Sequence, residues 1–414
     1  MKQRFWMAAL ASVALVSCVN EMPVMDNKLQ PLQELKFGDP MLYNQSRALG
    51  EILGAKYPTD ESFVVYSVIH NGTFNGWEKS LNYLTPEGEE QTANGLDDKT
   101  PFFPKEGVVV SKSTTNNYWH INGNTKYLWP TNEVDPVTNE PTTDYKMTFA
   151  AYSPASMMNP SVGNPHAVAV SYSSSGLAIT GYQMPDDPAD HFDLMYSTRT
   201  TDAESSPVAI NFKHALASIR FMFVKQAEST GGAYLVNVKK VEIVGDIYNK
   251  GNFDQKITAI DNSSGNPTWT LTEIVKEDDG SGNKVTKNYV LYDDAFTVPE
   301  GVSQEIIGIS SFMPIPQSVN ANMAVRITYE IQNNASDDMS TPDPIVIPFT
   351  DFKLPSSTNT ITAWNRGHRY VYTIQFGALK EIFFAPTVSE DWVTTNNAAF
   401  FSIGNVGNSG GVTP

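Results

Sequence analysis

The chain has 414 residues, a formal net charge of -17 and a single cysteine. The excess of acidic side chains disfavours nucleic acid and anionic membrane surfaces as partners, and one cysteine excludes a disulfide within the chain. A chain of this length can bury enough apolar surface for two or three domains.

The N-terminus has the pattern of a lipoprotein signal peptide. Lys2 and Arg4 precede an apolar run over residues 5–16, and the run ends in the order of a bacterial lipobox, Leu15-Val16-Ser17-Cys18. The run of about twelve residues is shorter than the roughly twenty that a membrane-spanning helix needs. The sequence therefore predicts that residues 1–17 are removed on export and that Cys18 carries a lipid anchor. The alternative is an ordinary secretory signal with a cysteine near its cleavage site.

Short runs with strand character recur along the rest of the chain. Residues 324–331 alternate apolar and polar side chains, which is typical of a strand with one buried face. Further runs rich in β-branched and aromatic residues are 63–69, 147–152, 219–224, 235–243 and 369–376. Gly and Pro interrupt the sequence at short intervals. The pattern predicts an all-β fold built from β-sandwiches.

A polar stretch over residues 197–207 separates two strand-rich halves. Such a stretch is typical of a boundary between domains. The sequence predicts one domain over residues 48–200 and a second over residues 201–414, with residues 18–47 as an N-terminal segment before the first.

Candidate catalytic residues are few. Paired aspartates such as Asp97-Asp98 lie beside turn-forming residues, where solvated carboxylates are expected rather than the buried acid that a glycosidase needs. The six histidines lack metal-ligand spacing, and the sequence has no phosphate-binding loop. The sequence predicts no catalytic residue, no metal site and no cofactor.

Four aromatic residues, Tyr118, Trp119, Tyr127 and Trp129, lie close together in the sequence. Exposed rings of this kind stack on sugars, whereas buried rings fill the core of a sandwich. Trp119 and Trp129 are therefore candidate ligand contacts, with core packing as the alternative.

Six segments of the chain form a recognisable series. They are residues 126–130 (KYLWP), 147–154 (MTFAAYSP), 193–196 (DLMY), 210–221 (INFKHALASIRF), 364–374 (WNRGHRYVYTI) and 388–392 (VSEDW). Together they resemble the fimbrillin family, the lipoprotein-derived subunits of type V pili in Gram-negative gut and oral bacteria, in its Mfa-like branch. The resemblance implies two tandem β-sandwich domains of transthyretin-like topology. It also implies a non-enzymatic protein that is exported to the outer membrane and displayed on the cell surface in a fimbrium, with His214 in a packing or strand-pairing role.

The resemblance further implies assembly by strand exchange. In polymerising members an arginine-specific protease removes the lipidated N-terminal strand, and a terminal strand of another subunit fills the groove. Arg47 and Ala48 match that cleavage junction, and residues 32–37 are the candidate for the edge strand that is removed. The candidate donor face consists of Ala399, Phe401 and Ile403, and the alternative is a permanent last strand of the second domain.

The leading hypothesis is a stalk, anchor or tip subunit of a fimbria that contributes to adhesion. Its expected partners are other fimbrial subunits or further copies of itself, the outer membrane through the lipid on Cys18, and a host receptor or glycan. The alternative is a surface glycan-binding lipoprotein that does not polymerise. That alternative requires an exposed Trp119 or Trp129.

Overall fold

The protein is described by a computed structural model over residues 33–42, 57–71, 80–84, 90–94, 102–104, 106–115, 118–123, 126–130, 135, 137–138, 140–142, 144–158, 166–173, 176–202, 206–226, 234–256, 267–274, 276–278, 280–282, 284–306, 311–332, 337–352, 360–377, 382–389 and 401–403. These ranges contain many strands, the short 3₁₀ helices Ala155–Met158, Pro188–Asp190 and Phe349–Asp351, and no α-helix. The prediction of an all-β fold is confirmed.

The strands of the described ranges follow in chain order. The first thirteen are β1 Met41–Leu42, β2 Ser62–Asn71, β3 Ser80–Leu84, β4 Glu90–Asn94, β5 Val108–Lys112, β6 Trp119–Ile121, β7 Tyr145–Ser153, β8 Ala169–Ser173, β9 Gly176–Gln183, β10 Met195–Thr201, β11 Asn211–His214, β12 Ser218–Lys225 and β13 Leu235–Val244. The others are β14 Lys250–Asp254, β15 Thr268–Glu273, β16 Lys276–Asp278, β17 Lys284–Thr286, β18 Tyr289–Thr297, β19 Gln304–Glu305, β20 Gln317–Ser318, β21 Ala324–Gln332, β22 Ile345–Pro348, β23 Ala363–Trp364, β24 Arg369–Phe376, β25 Ile382–Ser389 and β26 Phe401–Ile403.

The largest sheet has seven strands in the order β1-β11-β10-β7-β2-β5-β6. Its neighbours are antiparallel except for β1, which runs parallel to β11. Strand β2 is buried on both faces: Phe63 and Val65 enter one apolar cluster, and Val64 and Tyr66 enter another. A strand with two buried faces needs a continuous apolar run rather than an alternating one, which explains the sequence of β2.

The second of these clusters lies between the seven-stranded sheet and a four-stranded sheet with the order β15-β14-β9-β8. Leu177 and Ile179 of β9 and Phe253 of β14 are buried in it. The ring of Phe253 lies 5.0 Å from the ring of Tyr196, which belongs to β10 of the larger sheet. The two sheets therefore pack as a sandwich.

Two further sheets make up most of the C-terminal half. One has the order β19-β12-β24-β25-β26, and the other has the order β18-β13-β21-β22. Their facing side chains are buried together, as with Tyr329 of β21 and Phe376 of β24, whose ring centres are 5.5 Å apart. Strand β26 is the edge strand of the first sheet and pairs with β25 through three residues.

Strand pairing does not divide the chain at residue 200, where the sequence predicted a boundary. Strand β10 continues through Thr201, and β11 follows in the same sheet. Strands β14 and β15, over residues 250–273, join β9 of the N-terminal half. The polar residues near 200 are strand residues: Thr200 is hydrogen-bonded to Thr148 on the next strand, with 2.8 Å between the hydroxyl oxygens. The arrangement as two tandem domains of transthyretin-like topology stays a prediction.

A fully buried connector, residues 215–217, joins β11 to β12. The indole Nε1 of Trp269 donates to the carbonyl oxygen of Ala215 at 2.7 Å. Three backbone hydrogen bonds hold the connector to other parts of the fold: Ala215 N to Leu194 O (2.7 Å), Ala217 N to Pro314 O (3.1 Å) and Gly367 N to Leu216 O (2.8 Å). Both halves of the chain therefore contact the connector.

None of the helices in the described part of the chain has the length and apolar character of a membrane-spanning helix.

A buried histidine links the two halves and makes stability depend on pH. The amide of Met313 donates to His191 Nδ1 at 3.0 Å, so Nε2 carries the hydrogen and donates to the carbonyl of Pro185 at 3.1 Å. The bond from Met313 requires the neutral ring, because a protonated Nδ1 cannot accept a hydrogen, and burial lowers the pKa of His191 from 6.5 to about 4.

We expect this histidine to remove about 3 kcal/mol of stability as the pH falls from 6.5 to 4, because the unfolded chain binds the proton first. Above pH 6.5 the ring is neutral in both states and the effect is absent. Urea unfolding at pH 7.5 and at pH 4 measures it. In the non-titrating variant His191→Gln the difference between the two pH values should be smaller by about that amount. An unchanged difference would refute the assignment.

Candidate functional site

The described residues nearest the N-terminus, 33–42, form a strand-like segment that includes β1. It lies between β6, at one edge of the seven-stranded sheet, and the chain that leads into β11. We call these residues the closing segment. On one side Leu35 N donates to Tyr127 O at 2.8 Å, and Trp129 N donates to Gln33 O at 3.0 Å. Phe37 also forms an antiparallel bridge with Trp119 of β6, the strand at one edge of the sheet.

The other side of the closing segment is bonded to the chain that leads into β11. Gly38 N donates to Val208 O and Val208 N donates to Lys36 O, each at 2.8 Å. Met41 N donates to Ile210 O at 2.9 Å, and β1 continues this pairing in parallel with β11. The closing segment therefore has backbone partners on both sides, whereas an edge strand has them on one.

Three apolar side chains of the closing segment, Leu35, Phe37 and Leu42, are no more than 5% exposed. They enter the cluster that covers one face of the seven-stranded sheet. The ring of Phe37 meets the rings of Phe63 and Phe149 edge to face, with centroids 6.2 and 5.9 Å apart. This geometry is the favourable one for aromatic pairs. The closing segment thus covers an aromatic core.

Trp119 and Trp129 belong to the same core and are 1% and 4% exposed. The ring of Trp119 lies 5.3 Å from that of Tyr57, and the ring of Trp129 lies 6.0 Å from that of Phe149. The expectation that either ring is exposed for stacking on a sugar is wrong, because neighbouring rings and the closing segment cover both. The packing alternative describes them.

A surface groove of about 650 Å³ lies along the outer side of the closing segment. Its lining from the closing segment is Gln33, Glu34 and residues 36–39, and its lining from the flanking chain is Tyr118 and Trp119 together with Ser206 and Pro207. Tyr118 is 45% exposed, and Pro207 is also exposed. The groove therefore combines an aromatic ring and a proline with the polar side chains of the closing segment.

One ion pair crosses this region. Lys112 Nζ lies 3.2 Å from Asp39 Oδ1, and the indole Nε1 of Trp119 donates to the same oxygen at 3.1 Å. The Lys112 ammonium also lies 5.8 Å from the centre of the Trp119 ring. The contacts of Lys112 and Trp119 with Asp39 hold the closing segment against β5 and β6.

The ionisable groups of the region do not have the arrangement of a catalytic centre. Burial raises the pKa of the Tyr57 hydroxyl, which is hydrogen-bonded to Ser153 Oγ at 2.7 Å, and it also raises the pKa of Tyr127. Both phenols therefore stay neutral at physiological pH. Glu34 and Asp39 face solvent, with side chains 40% and 67% exposed, whereas a glycosidase acid is kept protonated by burial. The site offers backbone hydrogen bonds and aromatic packing.

A family model described as fimbrillin-like matches residues 71–392. The chain belongs to the fimbrillin-like family. No protein with a curated function is similar to it at a significant level.

Solved structures similar to this fimbrillin-like protein include three from Bacteroides species. A fimbrial protein from Bacteroides vulgatus is 15% identical, with 86% of this chain and 99% of that chain covered and a TM-score of 0.46. A proposed cell adhesion protein from Bacteroides uniformis is 13% identical, with 87% and 99% covered and a TM-score of 0.40. Another from Bacteroides ovatus is 14% identical, with 88% and 99% covered and a TM-score of 0.40.

Half of the site residues that the sequence predicted in this fimbrillin-like protein lie outside the described residues. They are Cys18, Arg47, Ala48 and Ala399. Phe401 and Ile403 belong to β26, which pairs with β25. The described backbone therefore places these two residues in a last strand, which is the alternative that the sequence left open.

The sequence indicated residues 32–37 as a removable edge strand, and the structure extends this pairing to Leu42. Sequence reasoning missed the contribution of Leu42 and the pairing on two sides of the closing segment. The signal available in the sequence was the apolar pair Leu35 and Phe37, two residues apart. Their partners, near residues 127 and 208, are far away along the chain, so the pairing itself leaves no local pattern.

His214, expected to be a packing residue, forms a buried pair with Asp193. Its Nδ1 lies 2.9 and 2.8 Å from the two carboxylate oxygens, and the two side chains are 2% and 0% exposed. The pair lies where β11 ends and the connector begins. In the described ranges no group of three or more His, Cys, Asp or Glu side chains is placed to hold a metal ion.

Proposed function

We propose that this fimbrillin-like protein is a structural, non-enzymatic subunit of a cell-surface fimbria that assembles by strand exchange. The chain is exported and anchored in the outer membrane through a lipid on Cys18. Cleavage between Arg47 and Ala48 then releases the N-terminal segment, and the groove that it vacates accepts a strand from another subunit. The donor strand includes Ala399, Phe401 and Ile403.

The observation that supports this proposal best is the two-sided pairing of the closing segment over an aromatic core. Removal of residues 33–42 leaves backbone groups without partners next to Tyr127 on one side and Val208 on the other. It also uncovers Phe63, Phe149 and Trp119. Unpaired edges beside an apolar slot are the features that an added β-strand recognises.

The position of the predicted cut fits release of the closing segment. Arg47 and Ala48 lie in the sequence between Leu42, the end of the closing segment, and Tyr57. The Tyr57 ring packs on Phe63 and Phe212 of the seven-stranded sheet. A cut between residues 42 and 57 therefore separates the closing segment from the rest of the chain and leaves Tyr57 in the core.

The test is to display the full precursor on cells with an arginine-specific protease and to map the N-terminus of chains in purified filaments. We expect filaments whose chains begin at Ala48. The variant Arg47→Ala should keep the closing segment and stay out of filaments. The matched control is Lys56→Ala, which removes a basic residue from the same stretch and should assemble normally.

Lipid on Cys18 in all filament chains would contradict the maturation step for a stalk subunit. Filaments of Arg47→Ala at the wild-type yield would exclude Arg47 as the cleavage site. Complete absence of filaments from correctly processed chains would overturn the proposed function itself.

A further inference from the structure

Buried and exposed side chains do not alternate regularly along the closing segment, and this irregularity restricts which strand can replace it. Leu35 and Phe37 are buried, as a strand with one buried face requires. The phase then changes, because the next buried positions are 40 and 42 rather than 39 and 41. Lys36 and Asp39 point outwards, with side chains 56% and 67% exposed. A replacement strand must therefore supply apolar groups at 35, 37 and 42 and tolerate burial at 40.

The C-terminal sequence satisfies these requirements in one register. When Phe401 takes the place of Phe37, Ala399 falls at Leu35, Gly404 at Pro40 and Val406 at Leu42. All four buried positions then receive an apolar residue or glycine.

Neighbouring registers bury polar groups. Shifts in one direction place Ser402 at Phe37, or Asn408 at Leu42. Shifts in the other direction place Asn405 at Leu42, or Asn397 at Leu35. An amide or hydroxyl buried without a partner costs about 1 to 3 kcal/mol on protein-based scales.

We propose that the vacated groove takes residues 397–406 of a second copy of this chain in the register that puts Phe401 at the position of Phe37, with Phe400 and Ile403 filling the surface groove outside. This inference rests on the proposed function and specifies the geometry of that same site.

The outward residues of the donor fit the groove that the closing segment leaves half filled. Phe400 takes the position of Lys36, and Ile403 takes that of Asp39. Both positions line the groove of about 650 Å³ opposite Tyr118 and Pro207. Two charged side chains are thus replaced by two apolar ones beside an exposed ring and a proline, and Trp119 Nε1 and Lys112 exchange their contact with Asp39 for other partners or solvent. The donor buries apolar groups on both faces, which explains why its apolar residues do not alternate.

The groove offers an incoming strand backbone partners on two sides, and the part of the donor that the structure describes is β26. There Phe401–Ile403 pair with β25 through three residues. The closing segment is bonded over residues 33–42 on two sides, to residues 127–129 and to residues 208–212.

Direction and register together identify one pair of residues for a crosslink. The closing segment runs parallel to β11, with Met41 opposite Asn211, and both side chains are exposed. In the proposed register Asn405 takes the place of Met41 and lies opposite Asn211 of the accepting subunit. Directly opposite strand residues have Cα separations that a disulfide can bridge.

The experiment uses filaments of the full processed chain carrying Asn211→Cys together with Asn405→Cys. The only native cysteine, Cys18, leaves with the N-terminal segment, so no other thiol interferes. Under mild oxidation we expect a ladder of covalent multimers on a non-reducing gel. The matched controls pair Asn211→Cys with Gly404→Cys or with Val406→Cys, and they should give less than about a tenth of that ladder, because their side chains point elsewhere.

A second measurement tests the filling of the groove. Phe400→Asp should reduce filament yield at least about tenfold if that ring contacts Tyr118 and Pro207, because a carboxylate is then buried against apolar surface. Ser409→Asp, which lies beyond the paired residues, should leave the yield unchanged. Urea unfolding of both monomers before assembly separates this effect from loss of folding.

The experiments distinguish failure of the proposed register from failure of the proposed function. Filaments that crosslink through residue 404 or 406, or that show no crosslink through residue 405, overturn the register and leave strand exchange standing. A normal filament yield for Phe400→Asp overturns the filling of the groove. Absence of filaments from the processed wild-type chain overturns the proposed function and the register with it.

Discussion

Replacement of Phe37 by alanine in the uncleaved chain is expected to weaken docking of the closing segment by about 3 to 5 kcal/mol, the usual cost of removing a buried phenylalanine ring. The ring is 3% exposed and lies between Phe63 and Phe149. Its removal leaves a cavity that these two rings cannot fill without giving up their own packing. The segment should then detach more often while the rest of the sheet stays folded.

Amide exchange measured by mass spectrometry reports this detachment directly. The amides of Leu35, Gly38 and Met41, which are bonded across the segment, should exchange at least about a hundredfold faster in Phe37→Ala. The matched control is Met41→Ala in the same segment, where the side chain is 51% exposed and the change should cost less than about 0.5 kcal/mol. Equal effects of the two substitutions would mean that the Phe37 ring does not hold the segment.

Gly245→Ala is expected to cost more than about 4 kcal/mol, a large part of the stability of a typical domain. Gly245 follows β13 with a φ of +109°, a region that L side chains rarely adopt. A Cβ atom added there would lie 1.7 Å from the carbonyl oxygen of Asn322. The obstacle is backbone, so β13 and the turn before β21 must move apart. Urea unfolding and the yield of folded protein measure the loss.

The variant Gly123→Ala separates the two causes of this loss, which are backbone strain at a positive φ and collision of the new Cβ atom with neighbouring backbone. Gly123 has a φ of +98°, and a Cβ atom added there would meet no atom within 4 Å. This variant carries the backbone strain without the collision and should lose only about 1 to 2 kcal/mol. If the two alanine variants were equally stable, the close approach of residues 245 and 322 would have no part in the effect.

The sequence was sufficient for the fold class because strand patterns are local. The alternation over residues 324–331 appears in the structure as the alternating burial of β21. The predicted boundary near residue 200 stays a prediction, and the polarity on which it rests is not a sign of exposure in this part of the chain. Thr198 and Thr201 are buried, and Gln255 Nε2 donates to Thr198 Oγ1 at 2.6 Å. Hydroxyl groups that bond to neighbouring strands can occupy a sheet interior, and composition alone does not reveal their partners.

The candidate site was less accessible from the sequence. The aromatic density around Trp119 and Trp129 is compatible with a sugar platform as well as with the commoner core packing, and the covering by the closing segment separates the two. The apolar pair Leu35 and Phe37 indicated a strand. The backbone partners on its second side are residues 208–210, which are too distant in the sequence for a local pattern to reveal. Lipidation of Cys18 and cleavage at Arg47 stay predictions.

The buried connector between β11 and β12 has a mechanical consequence. A strand held against β11 in the groove is linked, through residues 215–217, to β12 and then to β24 and β25 in the C-terminal sheet. Tension that enters a subunit at the groove therefore passes along covalent backbone that is anchored at Leu194, Pro314 and Gly367. In the proposed fimbria this load would reach the C-terminal sheet through the buried residues 215–217, so a chain of such subunits would resist stretching through shear of paired strands.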